Sequence, residues 1–308
     1  MKKIAILSAT LITVLMASCD SKIPMEEALW PESVYLVGAK DKIVDKQLNI
    51  GYENDTIYAS IAISGSQPTS QDVTISILNV PSMIEQYNKK ERGSDDIMYR
   101  ALHEGIYNFP QENAIVKKGD TYGTYPILIN PSTLHVDSLY MIALKIDKSS
   151  AFDLVKEDTV VLYRLNLMNN YSGQYYMDGI IKSVDNPNDS TVYKLPRTLQ
   201  AVKDGNTVRM YHQKNEWSKG ATDYRPKYCF TMTVNSDNSV TLKTWDQFEL
   251  ISGGGKYYPE MKVYDIWYTF KENGETKKVR GFVYKEREND DQVRLINDWM
   301  DENRKYDY

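Results

Sequence analysis

The chain has 308 residues and a formal net charge of −5 at pH 7, so it lacks the basic surplus with which proteins bind nucleic acid. It contains 24 Tyr and 5 Trp but only 3 His and 2 Cys, a composition typical of an exported β-rich protein. The length is sufficient for two domains, each of which buries a core of its own.

The first residues have the pattern of an export signal. Lys2 and Lys3 precede an apolar segment, residues 4–16, that is too short to span a bilayer, and small residues precede Cys19. This pattern resembles a bacterial lipoprotein signal, which implies a signal peptide over residues 1–18 and acylation of Cys19 as a membrane anchor. The alternative is an ordinary secretory signal in which Cys19 is incidental.

Residues 19–32 are polar and predict a tether between the anchor and the folded part of the chain. If Cys19 is acylated, Cys229 has no cysteine partner, and no disulfide framework exists. We therefore expect Cys229 to be a small strand residue without a functional role.

Residues 33–168 alternate apolar and polar side chains in seven short segments, the pattern of strands with one buried face. Ile57, Ala59 and Ile61, for example, share one face. Seven such strands predict an immunoglobulin-like antiparallel β-sandwich. Residues 81–88 have helical spacing, and residues 98–102 predict a second helical turn.

A second β domain is predicted over residues 171–308, after a short linker at Asn169 and Asn170, which tolerate turn conformations. It contains about eight strands, which predicts a closed lipocalin-like antiparallel barrel. Side chains fill the interior of a barrel of this size, or the interior holds one small ligand. Apolar residues at helical spacing after Asp290 predict a terminal helix that packs on the barrel.

One hairpin of the second domain can be aligned around the Asn-Gly turn at residues 273–274. The alignment pairs Tyr268 with Val279 on the core face. It places Trp267 beside Arg280 on the opposite face, where the two form either part of the barrel wall or a platform for a ligand.

A second hairpin turns at residues 236–238. A three-residue loop matches apolar side chains across the strands, for example Met232 with Leu242. The same alignment places Trp245 on a face of Thr and Lys residues, which is an unusual position for an indole unless something covers or uses it.

Residues scattered through both domains resemble a known family. In the first domain they are Tyr87, Asn88, Tyr99, Leu102, Tyr107, Gly119, Leu134, Tyr140 and the segment 163–175. They resemble the lipoprotein-borne β-sandwich domain of unknown function at the N-terminus of proteins encoded in Bacteroidota polysaccharide-utilisation loci. In the second domain, residues 171–175, 245–248 and 257–260 resemble the calycin-like C-terminal domain that follows it. The resemblance implies an outer-membrane or cell-surface component of a glycan-utilisation system and carries no catalytic residues.

Aromatic side chains are the candidates for ligand binding, because sugar rings stack their C–H faces on exposed aromatics. The candidates are Trp217, Trp245, Trp267, Tyr257, Tyr258 and Arg280. Trp217 is the first choice, since residues 215–224 have the composition of a loop, in which a Trp has little structural reason to lie. The alternative for each aromatic is a place in the core or the barrel wall.

The sequence contains no catalytic signature. His103, His135 and His212 are far apart, which argues against a metal site or a histidine-based triad. The Gly-Gly-Gly-Lys segment at residues 253–256 lacks the first glycine of a phosphate loop and predicts a flexible turn. The acidic residues within 286–291 have the spacing of a solvated charge run. We therefore expect no enzyme activity, metal or cofactor.

Three functions follow from these observations: a surface glycan-binding lipoprotein, a lipocalin-like carrier of a small apolar ligand, or a scaffold subunit of an outer-membrane uptake complex. The expected partners are a lipid anchor in the outer membrane, an oligo- or polysaccharide and an outer-membrane transporter complex. An open groove lined by Trp217 or Trp267 favours the first function, a deep apolar cavity the second, and a filled barrel with an exposed apolar patch the third.

Overall fold

The computed structural model describes residues 30–41, 43–186, 188–202, 204–212, 223–286 and 289–304. The predicted signal peptide, Cys19 and most of the tether lie outside these residues. The described chain is all-β with few short helices, as predicted, and consists of two sandwich sheets followed by a closed eight-stranded antiparallel barrel.

Eleven strands form the sandwich domain. In chain order they are β1 (Ser33–Leu36), β2 (Ile43–Asn49), β3 (Asp55–Ser64), β4 (Val73–Asn79), β5 (Tyr99–Ala101), β6 (Tyr107–Asn108), β7 (Asn113–Val116), β8 (Tyr122–Ile129), β9 (Leu139–Ser149), β10 (Asp153–Leu154) and β11 (Val160–Met168). Three 3-10 helices (Ala39–Asp41, Pro131–Thr133 and Lys156–Asp158) and one α-helix, α1 (Ser82–Glu91), interrupt them.

The strands of the sandwich domain form two sheets. One has the order β10-β1-β3-β8-β6, and the other has the order β2-β11-β9-β4-β7, with β5 also paired to β9. The inward residues of both sheets, such as Ile61, Ile127, Ile75 and Leu144, belong to one buried cluster. Most pairs are antiparallel as predicted, but β1/β10, β2/β11 and β5/β9 are parallel.

The helix predicted over residues 81–88 is confirmed by α1, whose Ile84 packs against Met141 and Leu162 on the outer face of the second sheet. The second predicted helical turn, at residues 98–102, is wrong, because this segment contains β5. Its short run of apolar residues fits both structures, and pairing with β9 decides between them, since it buries Tyr99 against the same cluster.

Eight strands close into the barrel domain. They are β12 (Gly173–Ser183), β13 (Ser190–Ala201), β14 (Thr207–Tyr211), β15 (Cys229–Val234), β16 (Ser239–Thr244), β17 (Leu250–Tyr258), β18 (Val263–Glu272) and β19 (Glu275–Lys285). Each strand pairs with the next, and β12 pairs with β19 to close the ring. A one-turn helix, α2 (Arg225–Tyr228), precedes β15, and the terminal helix, α3 (Asp290–Asn303), follows the last strand.

Both predicted hairpin registers are confirmed. Tyr268 pairs with Val279 and Trp267 with Arg280, around a turn in which Asn273 has a φ of 52°. Met232 pairs with Leu242 in the other hairpin, as apolar matching required. The registers were predictable because each turn is local and a shift by one residue would expose the whole core face.

Side chains fill the barrel interior. The buried cluster is dominated by aromatic and branched residues, among them Tyr175, Phe230, Phe248, Tyr264, Tyr268 and Phe270. A cavity of about 230 Å³ lies at one end of the barrel, where Tyr193 and Lys277 contribute to its lining. The described interior therefore resembles a packed core more closely than the deep cavity of a carrier.

The predicted terminal helix is confirmed and packs on the outside of the barrel. Asn289 caps α3 by accepting a hydrogen bond from the backbone N–H of Gln292 at 3.0 Å. Ile296 and Met300 are buried against the barrel wall together with Phe282. No described helix is both long enough and apolar enough to cross a bilayer.

The strand that ends the sandwich domain and the first strand of the barrel domain are separated by a four-residue connection, residues 169–172, which lies close to the β13–β14 turn. The buried Asn169 side chain donates hydrogen bonds to the carbonyl oxygens of Asp204 at 3.0 Å and Thr207 at 2.8 Å. Gly51 and Gly205 approach so closely that a Cβ on Gly51 would lie 2.6 Å from the Gly205 Cα. Backbone contacts therefore join the two domains at this end of the barrel.

Candidate functional site

The exposed candidate platform lies on the outer wall of the barrel, at the middle of β18. Ile266 and Tyr268 are fully buried in the interior, so Trp267 between them points outward. Its side chain is 45% exposed, which is high for a Trp in the centre of a strand. The neighbouring positions across the sheet are Gly254 on β17 and Arg280 on β19.

Three consecutive glycines on β17 lie beside the strand that carries Trp267. Gly253 and Gly255 face inward, where a Cβ on Gly255 would lie 2.2 Å from the carbonyl oxygen of Asp265. Gly254 faces outward, and a Cβ there would lie 3.8 Å from Cζ2 of the Trp267 indole. The indole therefore lies over bare backbone. The flexible turn predicted for residues 253–256 is wrong, because the glycines are strand residues that admit their neighbours.

A groove of about 490 Å³ runs beside Trp267. Ser252, Thr269, Lys278 and Arg280 contribute to its lining, so hydroxyl and cationic groups lie next to the aromatic ring. We name this surface the Trp267 groove. Its combination of one aromatic platform with several hydrogen-bonding side chains is the arrangement by which proteins hold small polar ligands.

Arg280 does not stack on Trp267. Its Nη2 donates to Oδ2 of Asp265 at 3.1 Å, and the two side chains form an ion pair on the barrel wall. Burial raises the pKa of Asp265 above its ordinary value, and the Arg280 charge opposes this effect. The pair holds the guanidinium at the edge of the groove.

Trp245 lies at a different place, where the barrel meets the sandwich domain. The Arg209 guanidinium lies over its ring, 4.7 Å from the centroid. Arg209 also donates two hydrogen bonds, of 2.9 and 2.6 Å, to Asp137 in the loop before β9. Arg225 pairs with Asp137 as well and with Asp223 at 2.7 Å. Trp245 thus covers an ion cluster that joins the domains.

The electrostatics of this cluster favour the ionised form of Asp137. Burial alone would raise the pKa of this carboxyl, but Arg209 and Arg225 outweigh burial and hold the pKa below its ordinary value. The Asp137 carboxylate is therefore charged at neutral pH and satisfied by two guanidinium groups. We name this set, with Asp223, the junction cluster.

The two tyrosine candidates both pack against other aromatic side chains, and Tyr258 is partly exposed. Tyr257 is 6% exposed and packs in the interior, 4.7 Å from the Tyr264 ring between centroids. Tyr258 lies on the outer wall, where its ring contacts Trp299 of α3 at 4.6 Å. Both side chains are therefore packing residues, one in the core and one beneath the terminal helix. The alternation of β17 explains why adjacent tyrosines have different surroundings.

Trp217 lies outside the described residues, as does Cys19. Among the candidates in the described part of the chain, Trp267 and Arg280 are direct neighbours across β18 and β19. Burial raises the pKa of Tyr258, which is also close enough to Asp265 and Arg280 for their charges to affect that pKa. The sequence reasoning did not identify Ser252, Thr269 and Lys278. The predicted hairpin register was a sufficient signal for the last two, since both point outward beside Trp267.

The interior contains one buried histidine. His212 Nδ1 lies 2.7 Å from the Tyr268 hydroxyl, and its ring packs 4.1 Å from that of Phe270. Burial, with the charges of Arg197 and Lys277, lowers the pKa of His212 to about 3. Within the described part of the chain, no group of three or more His, Cys, Asp or Glu side chains is placed to hold a metal ion.

Two family models match the chain. One is described as an N-terminal domain and matches residues 31–153, and the other is described as C-terminal and matches residues 159–284. The first covers the sandwich domain up to β10, and the second covers its last strand, β11, together with the barrel strands. The comparison with curated proteins finds no match.

Several solved structures from Bacteroides share both domains. One of unknown function from Bacteroides ovatus has 20% identity and a TM-score of 0.58, covering 82% of this chain and 94% of its own. A multidomain protein including DUF1735, also from Bacteroides ovatus, has 19% identity and a TM-score of 0.57, with 79% and 89% covered. This chain therefore shares the two-domain fold of these Bacteroides structures.

A third similar structure has a description that names a role. It is an auxiliary nutrient binding protein from Bacteroides thetaiotaomicron, with 15% identity, a TM-score of 0.56, and coverage of 80% of this chain and 91% of its own. Identities this low show a shared fold. The two-domain architecture is therefore common to proteins whose sequences differ widely.

Proposed function

We propose that this two-domain protein binds glycan in the Trp267 groove. A half-exposed indole beside a groove of about 490 Å³ is the observation that carries the proposal. The C–H face of a sugar ring buries apolar area on the indole, while its hydroxyls bond to Ser252, Thr269 and Arg280. The outward position of Trp267 leaves room for a polymer that continues past the groove.

The cellular setting belongs to the same proposal. Acylation of Cys19 would tether the two domains to the outer membrane, facing the cell exterior, as an accessory component of a polysaccharide-utilisation system. An outer-membrane transporter complex would receive the captured glycan. The nutrient-binding description of a protein with this fold supports such a role.

We further propose that the groove binds its ligand without chemical turnover and without a cofactor. Among the described residues, the ionisable side chains that line the groove or lie beside it on the outer wall are Lys278, Lys256 and the Arg280–Asp265 pair. This set offers no pair of carboxyl groups flanking the indole, which glycoside hydrolysis would require. A carrier function receives less support, because side chains fill the described barrel interior.

The test is Trp267→Ala in the purified two-domain protein, compared by affinity gel electrophoresis over a panel of neutral and acidic polysaccharides. We expect retention by at least one polysaccharide, and a loss of affinity of about tenfold or more in the variant, equivalent to about 1.4 kcal/mol. The melting temperature should change little, because the side chain is a surface residue.

Tyr58→Ala is the matched control, since Tyr58 is 50% exposed on the outer face of the sandwich domain, away from the groove. It should leave retention unchanged. Absence of retention by the wild-type protein across the panel, or equal losses in the two variants, would contradict the proposal.

Lipid anchoring is tested separately with Cys19→Ser. Wild-type protein should incorporate labelled palmitate and sediment with outer membranes, whereas the variant should do neither. Surface display is measured by protease treatment of intact cells. A variant that still incorporates the label would exclude Cys19 as the acylated residue.

A further inference from the structure

Positive charge accumulates at the Trp267 groove. Lys278 lines the groove, and its direct partner across the β12–β19 pair is Lys182, so two lysines are neighbours on the outer wall. Like charges directly opposite each other destabilise a sheet.

The nearby acidic side chains of the same wall have other partners. Asp265 accepts a hydrogen bond from Arg280, and Asp178 accepts two from Arg304, each of 2.9 Å. Lys278 is exposed and makes no ion pair with any of the described residues. The groove consequently presents an uncompensated ammonium group next to an exposed indole.

We infer that the groove selects sugars that carry a carboxylate or sulfate group. This inference rests on the proposed glycan function and specifies its ligand class. The sugar ring packs on Trp267, and the anionic substituent pairs with the Lys278 ammonium group. Hydroxyls of Ser252 and Thr269 supply the neutral contacts. Arg280 is already paired with Asp265, so it positions the sugar ring and does not neutralise the charge of the anionic substituent.

The experiment compares matched ligands that differ in charge alone. Polygalacturonate is paired with its methyl-esterified form, and dextran sulfate with dextran, in titration calorimetry on the purified two-domain protein. We expect one charged member to bind at least tenfold more tightly than its neutral partner at low ionic strength. The preference should shrink as sodium chloride is raised, because salt screens exposed charges.

Lys278→Gln should reduce this preference to about twofold or less, because it should weaken binding of the charged member far more than binding of the neutral member. Lys271→Gln is the matched control, because Lys271 is an exposed outward residue of β18 that does not line the groove. Trp267→Ala should weaken both members of the pair.

The outcomes separate the inference from the proposed function. Equal binding of charged and neutral ligands that still depends on Trp267 would overturn the inference and keep glycan binding. Equal effects of Lys278→Gln and Lys271→Gln would also overturn it, since general surface charge would then explain the preference. Binding of no glycan at all would overturn both.

Discussion

Two tryptophans on the outer wall of the barrel lie beside an arginine that is bonded to an aspartate, yet their surroundings are opposite. Trp245 lies against Arg209, which donates to Asp137 of the sandwich domain. Trp267 pairs across the strands with Arg280. Arg280 bonds to Asp265, which lies on β18 two residues before Trp267. The first aspartate comes from another domain and the second from the same strand, and this difference decides which indole stays open.

The two pairs differ in how much water reaches the arginine, whereas the aspartates are similarly exposed. In the junction cluster the Arg209 side chain is 6% exposed and that of Asp137 is 16% exposed. At the groove the corresponding values are 29% for Arg280 and 20% for Asp265. Similar residues therefore serve stability where a second domain excludes water, and remain available to a ligand where none does.

Breaking the junction cluster should have the largest effect. Asp137→Asn removes the carboxylate partner of the Arg209 guanidinium at a site that is largely dry and leaves Arg225 with Asp223 alone. Removing one partner of such a cluster costs about 3 kcal/mol or more. Urea unfolding of the variant measures the loss. Glycan retention should be unchanged, and a loss of less than about 1 kcal/mol would show that the cluster is not a stabilising contact between the domains.

Lowering the pH should affect the stability contribution of the barrel interior but not that of the junction cluster. Because the folded pKa of His212 is about 3 and its ordinary value is 6.5, the unfolded chain binds more protons below pH 6.5 and stability falls as the pH decreases. From pH 7 to pH 5 the His212 contribution is a loss of about 2 kcal/mol.

The junction cluster should be intact over the same range, because the folded pKa of Asp137 is depressed and its contribution is lost only as the pH falls below about 4. Unfolding of wild type and His212→Gln at both pH values measures the difference in slope. Carbon-13 NMR of the imidazole provides an independent readout, since a midpoint near 6.5 in the folded protein would contradict the buried neutral ring.

Replacing each tryptophan with alanine in a separate variant tests the comparison directly. Trp245→Ala should cost about 1 to 2 kcal/mol, because it removes an indole packed over a buried guanidinium, and should leave glycan retention intact. Trp267→Ala should change stability by less than about 0.5 kcal/mol and lower the affinity for the retained polysaccharide by about tenfold or more. Thermal melts and affinity gels on the same samples measure both. If both variants lost stability equally, the two sites would not differ in the way that their exposure indicates.

The smallest effect is expected at the groove ion pair. Asp265→Asn should cost less than about 1 kcal/mol, because burial already raises the pKa of this carboxyl and the partner guanidinium keeps access to water. Urea unfolding beside Asp137→Asn makes the contrast quantitative. If Asp265→Asn cost as much stability as Asp137→Asn, a contact with the other domain would not be what distinguishes the Asp137–Arg209 pair from the Asp265–Arg280 pair.

Local pairing was predictable from the sequence, whereas pairing over long distances was not. The Asn-Gly turn at residues 273–274 aligns Tyr268 with Val279, because only this register places all the apolar residues on one face. The segment at residues 98–102 was assigned to the wrong structure because its partner, β9, is about 40 residues away. The parallel strands β2 and β11 are even further apart in the sequence, and no local pattern predicts that they pair.

Some features of the Trp267 groove were likewise predictable from the sequence, and others were not. The register alone predicted that Trp267 and Arg280 are neighbours and that both point away from the core. It did not predict that Arg280 bonds to Asp265 instead of stacking on the indole, because a side chain chooses among several partners within its reach. The glycines at residues 253–255 were mistaken for a turn, since their role is to admit side chains from a neighbouring strand.

The sequence by itself determined an all-β chain with two domains, the hairpins of the barrel and the alternation that sends Trp245 and Trp267 outward, because these properties depend on residues close together in the chain. Only the tertiary structure decided which tryptophan remains exposed. Asp137 precedes Trp245 by more than 100 residues, and the two come together only when the sandwich domain packs against the barrel. Exposure depends on what lies on top of a surface, and a strand pattern describes only the surface itself.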